Sequence, residues 1–423
     1  MDPMKVVHVT TLTHPGAGKC AVAIHVELLR MGVASKVLSL ERFSSKRGVV
    51  FLNEEKSILR KIQDRIYQHA ITSDFNIYRN SISDKNDLFS NDRTIHRLGK
   101  HPLIYDADII HLHWIVRMVD CAELFSHVRD KHIVWTLHDW NPMTGGCHVP
   151  RECTKYRTHC GACPFLGFNC QKDLSFKIFE RKKSAYKSSH IDIIAPSRAI
   201  AEDARQSSLL NGFNIHIINH GISSFWLQRR SKHDSREKLK LPPDKTLILF
   251  GAAYYSENKG FSYLLQALNR ISNNVKDMGL VIVGPAEYAM DVGKEFPVYN
   301  LGYLKDAEML ACAYSSADIF IMPSLGESFG LMALEAMACA LPVIGFETGV
   351  LTEIIINRQR GIITKMKDVE GLAEAMKYMI DNPKERQQMG NNSREYVLRN
   401  NTIEAQADNY LKLYKKILSC ENK

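Results

Sequence analysis

The chain of 423 residues predicts an α/β protein built as two doubly wound, Rossmann-like domains, each a parallel sheet covered by helices. Three observations carry this expectation. Short β-branched runs alternate with amphipathic helical patterns along nearly the whole chain. The alternation comes in two series, separated by a charged stretch that ends in Pro242-Pro243. The length suits two or three domains at roughly 100–200 residues each.

In the first series, Lys5–Thr10 reads as a strand, Gly16-Ala17-Gly18 as a turn and Ala21–Met31 as a helix. Further strands are expected at Ser35–Leu40, Ile109–Leu112, Ile133–Leu137, Ile191–Ala195 and Ile215–Ile218. Phe51–Leu98 is polar and irregular, and reads as an insertion with short helices. Ser223–Lys245, rich in charge and closed by two prolines, marks the linker. The second series places strands at Thr246–Phe250, Gly279–Val283, Val298–Leu301, Ile319–Met322 and Val343–Gly345, with helices at Phe261–Asn273 and Asp306–Ala313. Ala405–Leu418 is helical in pattern, with Ala405, Tyr410, Leu411 and Tyr414 near one face. The expected organisation is a domain at 1–225 with a Cys-rich insertion at 145–170, a linker at 226–245, a second domain at 246–400, and a helix at 401–423 returning toward the first domain. Ligands of such sheets sit beyond the carboxyl ends of the strands, so the informative residues should lie just after strands.

Composition narrows the class. Apolar residues make up 45% and charged residues 24%, which excludes a disordered, collagen-like or polytopic membrane protein. Lys and Arg total 55 against 46 Asp and Glu, a net charge of +9 that fits an anionic partner such as a nucleotide, a phospholipid face or nucleic acid. The charge is dispersed and the aromatics do not interleave with it, so no nucleic-acid partner is expected. A nucleic-acid-binding zinc protein is the rival from another class. Met1-Asp2-Pro3-Met4-Lys5 followed by Val6-Val7-His8-Val9 is too short an apolar start for a secretory signal. No apolar run is long enough to span a bilayer. A cytoplasmic protein with reduced thiols is expected.

The most informative stretch runs Pro323-Ser324-Leu325-Gly326-Glu327-Ser328-Phe329-Gly330-Leu331-Met332-Ala333-Leu334-Glu335-Ala336-Met337. A strand ends near Met322, a turn holds Gly326 and Glu327, and a helix is expected to open near Ser328 or Phe329. The first amides of that helix lack internal partners and so make an anion site. Glu335 lies a little over two turns beyond Glu327, so both carboxylates can face one cleft. Carboxylates aimed at sugar or ribose hydroxyls accept charge-assisted hydrogen bonds. Lys259, after the first strand of the second series, is the expected cation for a phosphate, acting as a point charge.

The run Pro-Ser-x-x-Glu-Ser-Phe-Gly-Leu-x-x-Leu-Glu-Ala-Met-Ala-Cys, followed by Leu341-Pro342-Val343-Ile344, resembles the retaining GT-B glycosyltransferases of the "glycosyl transferases group 1" family (family 4). The Glu-x7-Glu spacing of Glu327 and Glu335 is the hallmark. Gly16–Gly18, His138, Ala195-Pro196-Ser197, Asn219-His220-Gly221-Ile222 and Lys259-Gly260 follow in the expected order. The resemblance implies a GT-B fold, two domains facing across a cleft, and transfer of a hexose or related sugar from a nucleotide diphosphate to a glycan or lipid-linked oligosaccharide, in surface polysaccharide assembly. It implies donor contacts from Gly16, Gly18, Ser328, Phe329, Gly330 and Leu331, ribose binding by Glu335, and catalytic roles for Glu327, His138 and Lys259. Front-face substitution needs no divalent metal, because a fixed cation and a helix N-terminus can stabilise the departing diphosphate. Gly349 to Glu353 looks like the family's following loop and helix, with Glu353 structural. The chain departs from the pattern at Gly251-Ala252-Ala253-Tyr254-Tyr255, which lacks the usual Arg, and at Asn258, where some relatives carry a second base. A degenerate, non-catalytic nucleotide-sugar-binding protein is the reading that this departure favours.

Other motifs admit competing readings. Gly16-Ala17-Gly18-Lys19 fails the P-loop pattern, which requires Gly at Thr13 and Ser or Thr at Cys20. His111 and His113 are same-face neighbours on a strand. A His-x-His pair without a third ligand is more often packing than zinc. His113 and Asp139 are assigned to the acceptor side, Asp139 either orienting His138 or meeting the acceptor. Cys147, Cys153, Cys160 and Cys163 form a cluster in a loop-like stretch with little apolar material of its own, and suit a structural zinc. Reduced cysteines are the alternative. Two basic amphipathic stretches, Lys56–Tyr67 and Leu174–Tyr186, suit peripheral contact with anionic lipid at the inner face of the cell membrane, although such helices more often cover a core.

Overall fold

The structure, a computed structural model, describes residues 3–419 except 15, 42–43, 53–56, 83–86, 168, 188, 255, 272–276, 291 and 293–295. Lys56, Tyr255 and the expected helix end at Asn273 lie outside the described residues. The chain divides into two compact units, Met1–Asn219 with Gln406–Lys423, and His220–Ala405.

The first unit is a parallel sheet of β1 (Lys5–Thr10), β2 (Ala34–Ser39), β3 (Val49–Phe51), β4 (Ile109–Leu112), β5 (His132–Thr136), β6 (Ile191–Ala195) and β7 (Asn214–Ile217), in the order β3-β2-β1-β4-β5-β6-β7. Its central strand β4 is buried at every position, as a strand covered on both faces must be. The helix Ile403–Ser419 completes this unit from Gln406 onward. Tyr410 and Tyr414 are fully buried, and their hydroxyls reach Thr136 Oγ1 at 3.0 Å and His111 Nδ1 at 2.5 Å.

The second unit is a parallel sheet of β8 (Thr246–Gly251), β9 (Met278–Val283), β10 (Val298–Gly302), β11 (Ile319–Met322), β12 (Val343–Phe346) and β13 (Gly361–Thr364), ordered β10-β9-β8-β11-β12-β13. Separate apolar clusters cover its two faces. Chain order reverses between β8 and β11, which pair through Ile248–Ile319, Leu249–Phe320 and Phe250–Ile321. Such a switch point leaves a crevice at the carboxyl ends of the two strands. In the first unit the reversal falls between β1 and β4.

The expected linker at 226–245 is corrected. Trp226, Leu239 and Leu241 join the core of the second unit. The helix Lys232–Lys238, capped by the Ser231 hydroxyl, lies on that unit. Its charges look solvated in sequence but meet Asp318: Lys232 donates to one carboxylate oxygen at 2.7 Å, and Arg236 and the Leu247 amide donate to the other at 2.7 and 2.8 Å. Burial would raise the Asp318 pKa, but these donors and Arg386 outweigh it and hold it below the usual range. The irregular insertion also contains a longer helix than expected, Ile58–Ser73.

Candidate functional site in the two units

In the second unit, two loops rise beside the switch point. After β8 the chain turns through Ser256–Gly260, where Ser256 caps a short 3-10 turn by accepting from the Asn258 amide. Asn258 is 2% exposed and ties this turn to the loop after β11: its side-chain amide donates to Gly326 O at 3.0 Å, and its carbonyl accepts from the Leu325 amide at 2.8 Å. The neutral residue at this position is thus a staple. Gly260 adopts φ +66°, and a Cβ there would stand 1.8 Å from Pro323 O, so only glycine permits this approach. The two loops are locked together, and the lock brings Lys259 to Glu327.

Lys259 Nζ lies 2.7 Å from Glu327 Oε1, with both side chains mostly buried. Burial disfavours the ammonium, but the Glu327 charge more than compensates and holds the Lys259 pKa above its ordinary value. The Tyr254 ring lies 5.8 Å beneath the same ammonium. Two groups assigned separately from sequence, one to phosphate and one to sugar, neutralise each other here.

The loop after β12 supports Glu327 from the other side. Gly349 has φ +48°, and a Cβ at this position would fall 1.6 Å from Glu327 O. Gly349→Ala is expected to cost about 1–3 kcal/mol in backbone strain and to displace the Glu327 backbone. Differential scanning calorimetry should show a fall of several degrees in the melting of the second unit.

The expected helix start at Ser328 or Phe329 is corrected to Leu331. Gly330 is left-handed at φ 73° and precedes the helix Leu331–Ala338. Its carbonyl accepts from the Ala333 and Leu334 amides, at 2.9 and 3.4 Å. Ser328 is partly exposed in the loop, and Leu331 is partly exposed at the first turn. Phe329 is 2% exposed and meets the His220 ring edge-on at 4.8 Å, so its side chain is core and only its backbone is available to a ligand. Glu335 is buried in the helix and accepts from the Tyr314 hydroxyl at 3.2 Å. No contact joins Glu335 to Glu327 among the described residues.

In the first unit, Gly16 (φ +59°) precedes the helix Ala17–Arg30, and a Cβ there would meet nothing within 4 Å. At Gly18 a Cβ would lie 2.1 Å from Leu12 O, so this glycine lets the helix start pack on the loop after β1. His138 follows β5 and belongs to an imidazole chain. Its Nε2 lies 3.0 Å from His113 Nδ1, and His113 Nε2 lies 3.0 Å from His8 Nδ1. Burial lowers the His138 pKa to about 4, against a raising effect of Asp139, and burial together with His25 lowers His8 to about 3. The His8 and His138 rings are neutral, with one N–H each. His8 Nε2 has no partner among the described residues, and an unmet lone pair is easier to bury than an unmet N–H. His8 and His113 therefore donate from Nδ1, and His138 accepts at Nε2 and carries its own proton on Nδ1.

Asp139 does not orient His138. Its carboxylate accepts from His148 Nδ1 at 2.6 Å, Trp114 Nε1 at 2.9 Å and the Asn141 amide at 2.8 Å. Burial would raise its pKa, but His148 and these donors lower it. Its role is to hold the loop after β5, together with buried Lys182, which donates to the carbonyls of Asn141 and Thr144.

The histidine metal reading is not assembled. His8, His111 and His113 do approach one another, but both His111 nitrogens are taken, by Tyr414 and by Thr136 at 2.8 Å. Among the described residues, no three of the Cys147, Cys153, Cys160 and Cys163 sulfurs gather within 4.8 Å. The loop has the protein contacts that its composition did not suggest. Cys160 joins the main core with Tyr156, and Cys163 and Leu166 pack with Tyr78, Leu174 and Ile178. Burial pushes Cys160 to about 12 and also raises Cys147 and Cys163, and the neighbouring cysteines add to each shift. His8 was missed by sequence reasoning, since its place beside His111 depends on the β1–β4 register; Tyr410 and Tyr414 were read as one face of the last helix, but their partners were not.

Comparison with known proteins bears on this geometry. Residues 231–396 match the family described as Glycosyl transferases group 1. An uncharacterized glycosyltransferase of Methanocaldococcus jannaschii is 28% identical over 288 residues, 63% of this chain and 71% of the relative. The putative colanic acid biosynthesis glycosyl transferase WcaC of Escherichia coli is 23% identical over 360 residues, 81% of this chain and 83% of the relative. The structure of Anabaena HepE in complex with UDP and glucose superposes with a TM-score of 0.65 at 14% identity, covering 97% of this chain and 99% of that one. The chain has a two-domain, Rossmann-like GT-B fold, its second unit matches the glycosyl transferases group 1 family over residues 231–396, and the matches support glycosyl transfer.

Proposed function

We propose that the protein is a retaining, metal-independent glycosyltransferase of family 4 that moves a hexose from a nucleotide diphosphate to a glycan or lipid-linked oligosaccharide in surface polysaccharide biosynthesis. The Lys259–Glu327 pair at the switch point of the second sheet carries this reading. A diphosphate entering there takes the ammonium from Glu327, and the freed carboxylate accepts hydrogen bonds from sugar hydroxyls. The Leu331 helix terminus and Gly330 offer backbone donors to the diphosphate, and Glu335 is assigned to the ribose. As the bond to the anomeric carbon breaks, charge grows on the leaving phosphate. Lys259 stabilises that charge, and the phosphate accepts the proton of the incoming hydroxyl on the same face. The acceptor is assigned to the first unit, where His138, held neutral, hydrogen-bonds a hydroxyl through Nδ1–H. HepE was solved with UDP and glucose, which favours a UDP-sugar donor.

A thermal-shift panel of UDP-, GDP- and ADP-sugars tests the donor site. One nucleotide class should raise the melting midpoint by mass action, and Glu335→Ala should lose that rise. A flat response to all three classes overturns the reading.

A further inference from the structure

Between residues 145 and 170 the chain has no α-helix or strand among the described residues, only the 3-10 turn Lys155–Arg157. The fold nevertheless brings four cysteines of this loop together. Cys153, Cys160 and Cys163 all lie near enough for their charge to act on Cys147, and Cys153 and Cys163 act on Cys160 in the same way. Hydrogen-bond donors point at the sulfurs. The Gly145 amide donates to Cys160 Sγ at 3.2 Å. The Phe165 and Leu166 amides, two and three residues beyond Cys163, donate to its sulfur. A neutral thiol is a weak acceptor, whereas a thiolate makes charge-assisted bonds. The buried Lys182 ammonium adds a positive field at Cys160 and Cys147. The loop is thus arranged for sulfur that carries charge, although burial alone disfavours that charge. A bound cation removes the conflict. The turn from Cys160 to Cys163 is also held in place: Ala162 is left-handed at φ 42°, and Lys155 Nζ donates to the Gly161 and Ala162 carbonyls at 3.0 and 2.6 Å.

We propose that Cys147, Cys153, Cys160 and Cys163 bind one zinc ion as a tetrathiolate. Four thiolates meet the tetrahedral preference of zinc. Each sulfur gives up its proton to solvent on binding, and the Lys182 ammonium offsets part of the net negative charge of the complex. Neighbouring sulfurs in such a tetrahedron stand about 3.8 Å apart, so the ion draws a wider cluster together. The ion would cross-link a loop that has little regular structure of its own. Cys147 directly precedes His148, whose Nδ1 donates to Asp139, and the Cys163 amide donates to Asp173, the cap of the helix Leu174–Tyr186. Zinc therefore fastens the loop after β5 to that helix. The inference goes beyond the proposed activity and needs no donor to be tested.

Full-length protein is purified under reducing conditions without added metal, and its metal content is measured by plasma mass spectrometry. Wild type should carry about one zinc per chain, and an organomercurial should release it. Cobalt exchanged for the zinc should show near-ultraviolet charge transfer from sulfur. Cys160→Ser with Cys163→Ser should lower the metal content at least about tenfold, whereas Cys170→Ser, at an exposed cysteine outside the set, should keep it. If the double variant fails to fold, the cobalt spectrum of wild type decides. Wild type that holds no zinc and takes up no cobalt, a cobalt spectrum without sulfur charge transfer, or zinc that survives the double substitution overturns the proposal. Iron with acid-labile sulfide overturns it in favour of an iron–sulfur cluster.

Discussion

Acidification from pH 7 to pH 5 should destabilise the first unit by about 4 kcal/mol from two imidazoles alone, His8 and His138. In the unfolded chain both protonate near 6.5. In the folded unit, burial lowers His138 to about 4 and, with His25 nearby, His8 to about 3. Between these values the unfolded state binds more protons, so stability falls as pH falls, by about 1.4 kcal/mol per pH unit for each ring. The stabilisation is fully present above 6.5. His25 and His111 are shifted the same way, mainly by burial, and steepen the slope. Tryptophan fluorescence reports the loss, since Trp114, Trp135 and Trp140 lie in the first unit and Trp226 alone in the second. His8→Asn should reduce the dependence on pH by one ring's share whatever it does to absolute stability. A melting curve that stays level between pH 7 and 5 contradicts buried neutral imidazoles.

Lys259→Ala should lower turnover by about a hundred- to a thousandfold with the donor that the thermal-shift panel identifies. The loss should fall on kcat, because charge on the leaving phosphate is greatest in the transition state. Lys259→Arg should restore only part of the rate, since a planar fork cannot occupy the position of a compact ammonium held over Tyr254. Lys259→Ala also leaves Glu327 largely buried without its cation, so the second unit should also melt earlier. Pairing it with Glu327→Ala should cost less stability than the two single changes summed. Unchanged turnover in Lys259→Ala would remove the central group of the proposed mechanism.

Most of the strand framework was readable because parallel strands buried on both faces are continuous apolar runs. β1, β4, β6 and β11 begin and end where the sequence predicts. The two missed strands, β3 and β13, are short edge strands, partly exposed along much of their length, and carry no such run. The linker was misread because the charges that suggested solvent are met by Asp318, more than seventy residues later. The start of the Leu331 helix was misplaced because the left-handed turn at Gly330 delays it. At the site, the residue types after the strands were recoverable, but their partners were not. Lys259 and Glu327 are 68 residues apart, and the imidazole chain crosses three strands. Such pairings depend on sheet order, which local periodicity does not encode.

Tyr410 and Tyr414 fill the interior of the first unit beside Thr136 and His111. A ribosome makes residues 406–419 only after the whole of the second unit has been synthesised. The half that is translated first is therefore the half that is finished last, and until then His111 and Thr136 have only each other to bond, while its younger neighbour already has every segment it requires. Chaperone dependence during synthesis should accordingly centre on the amino-terminal half, and a premature stop near codon 405 should harm that half while sparing the other.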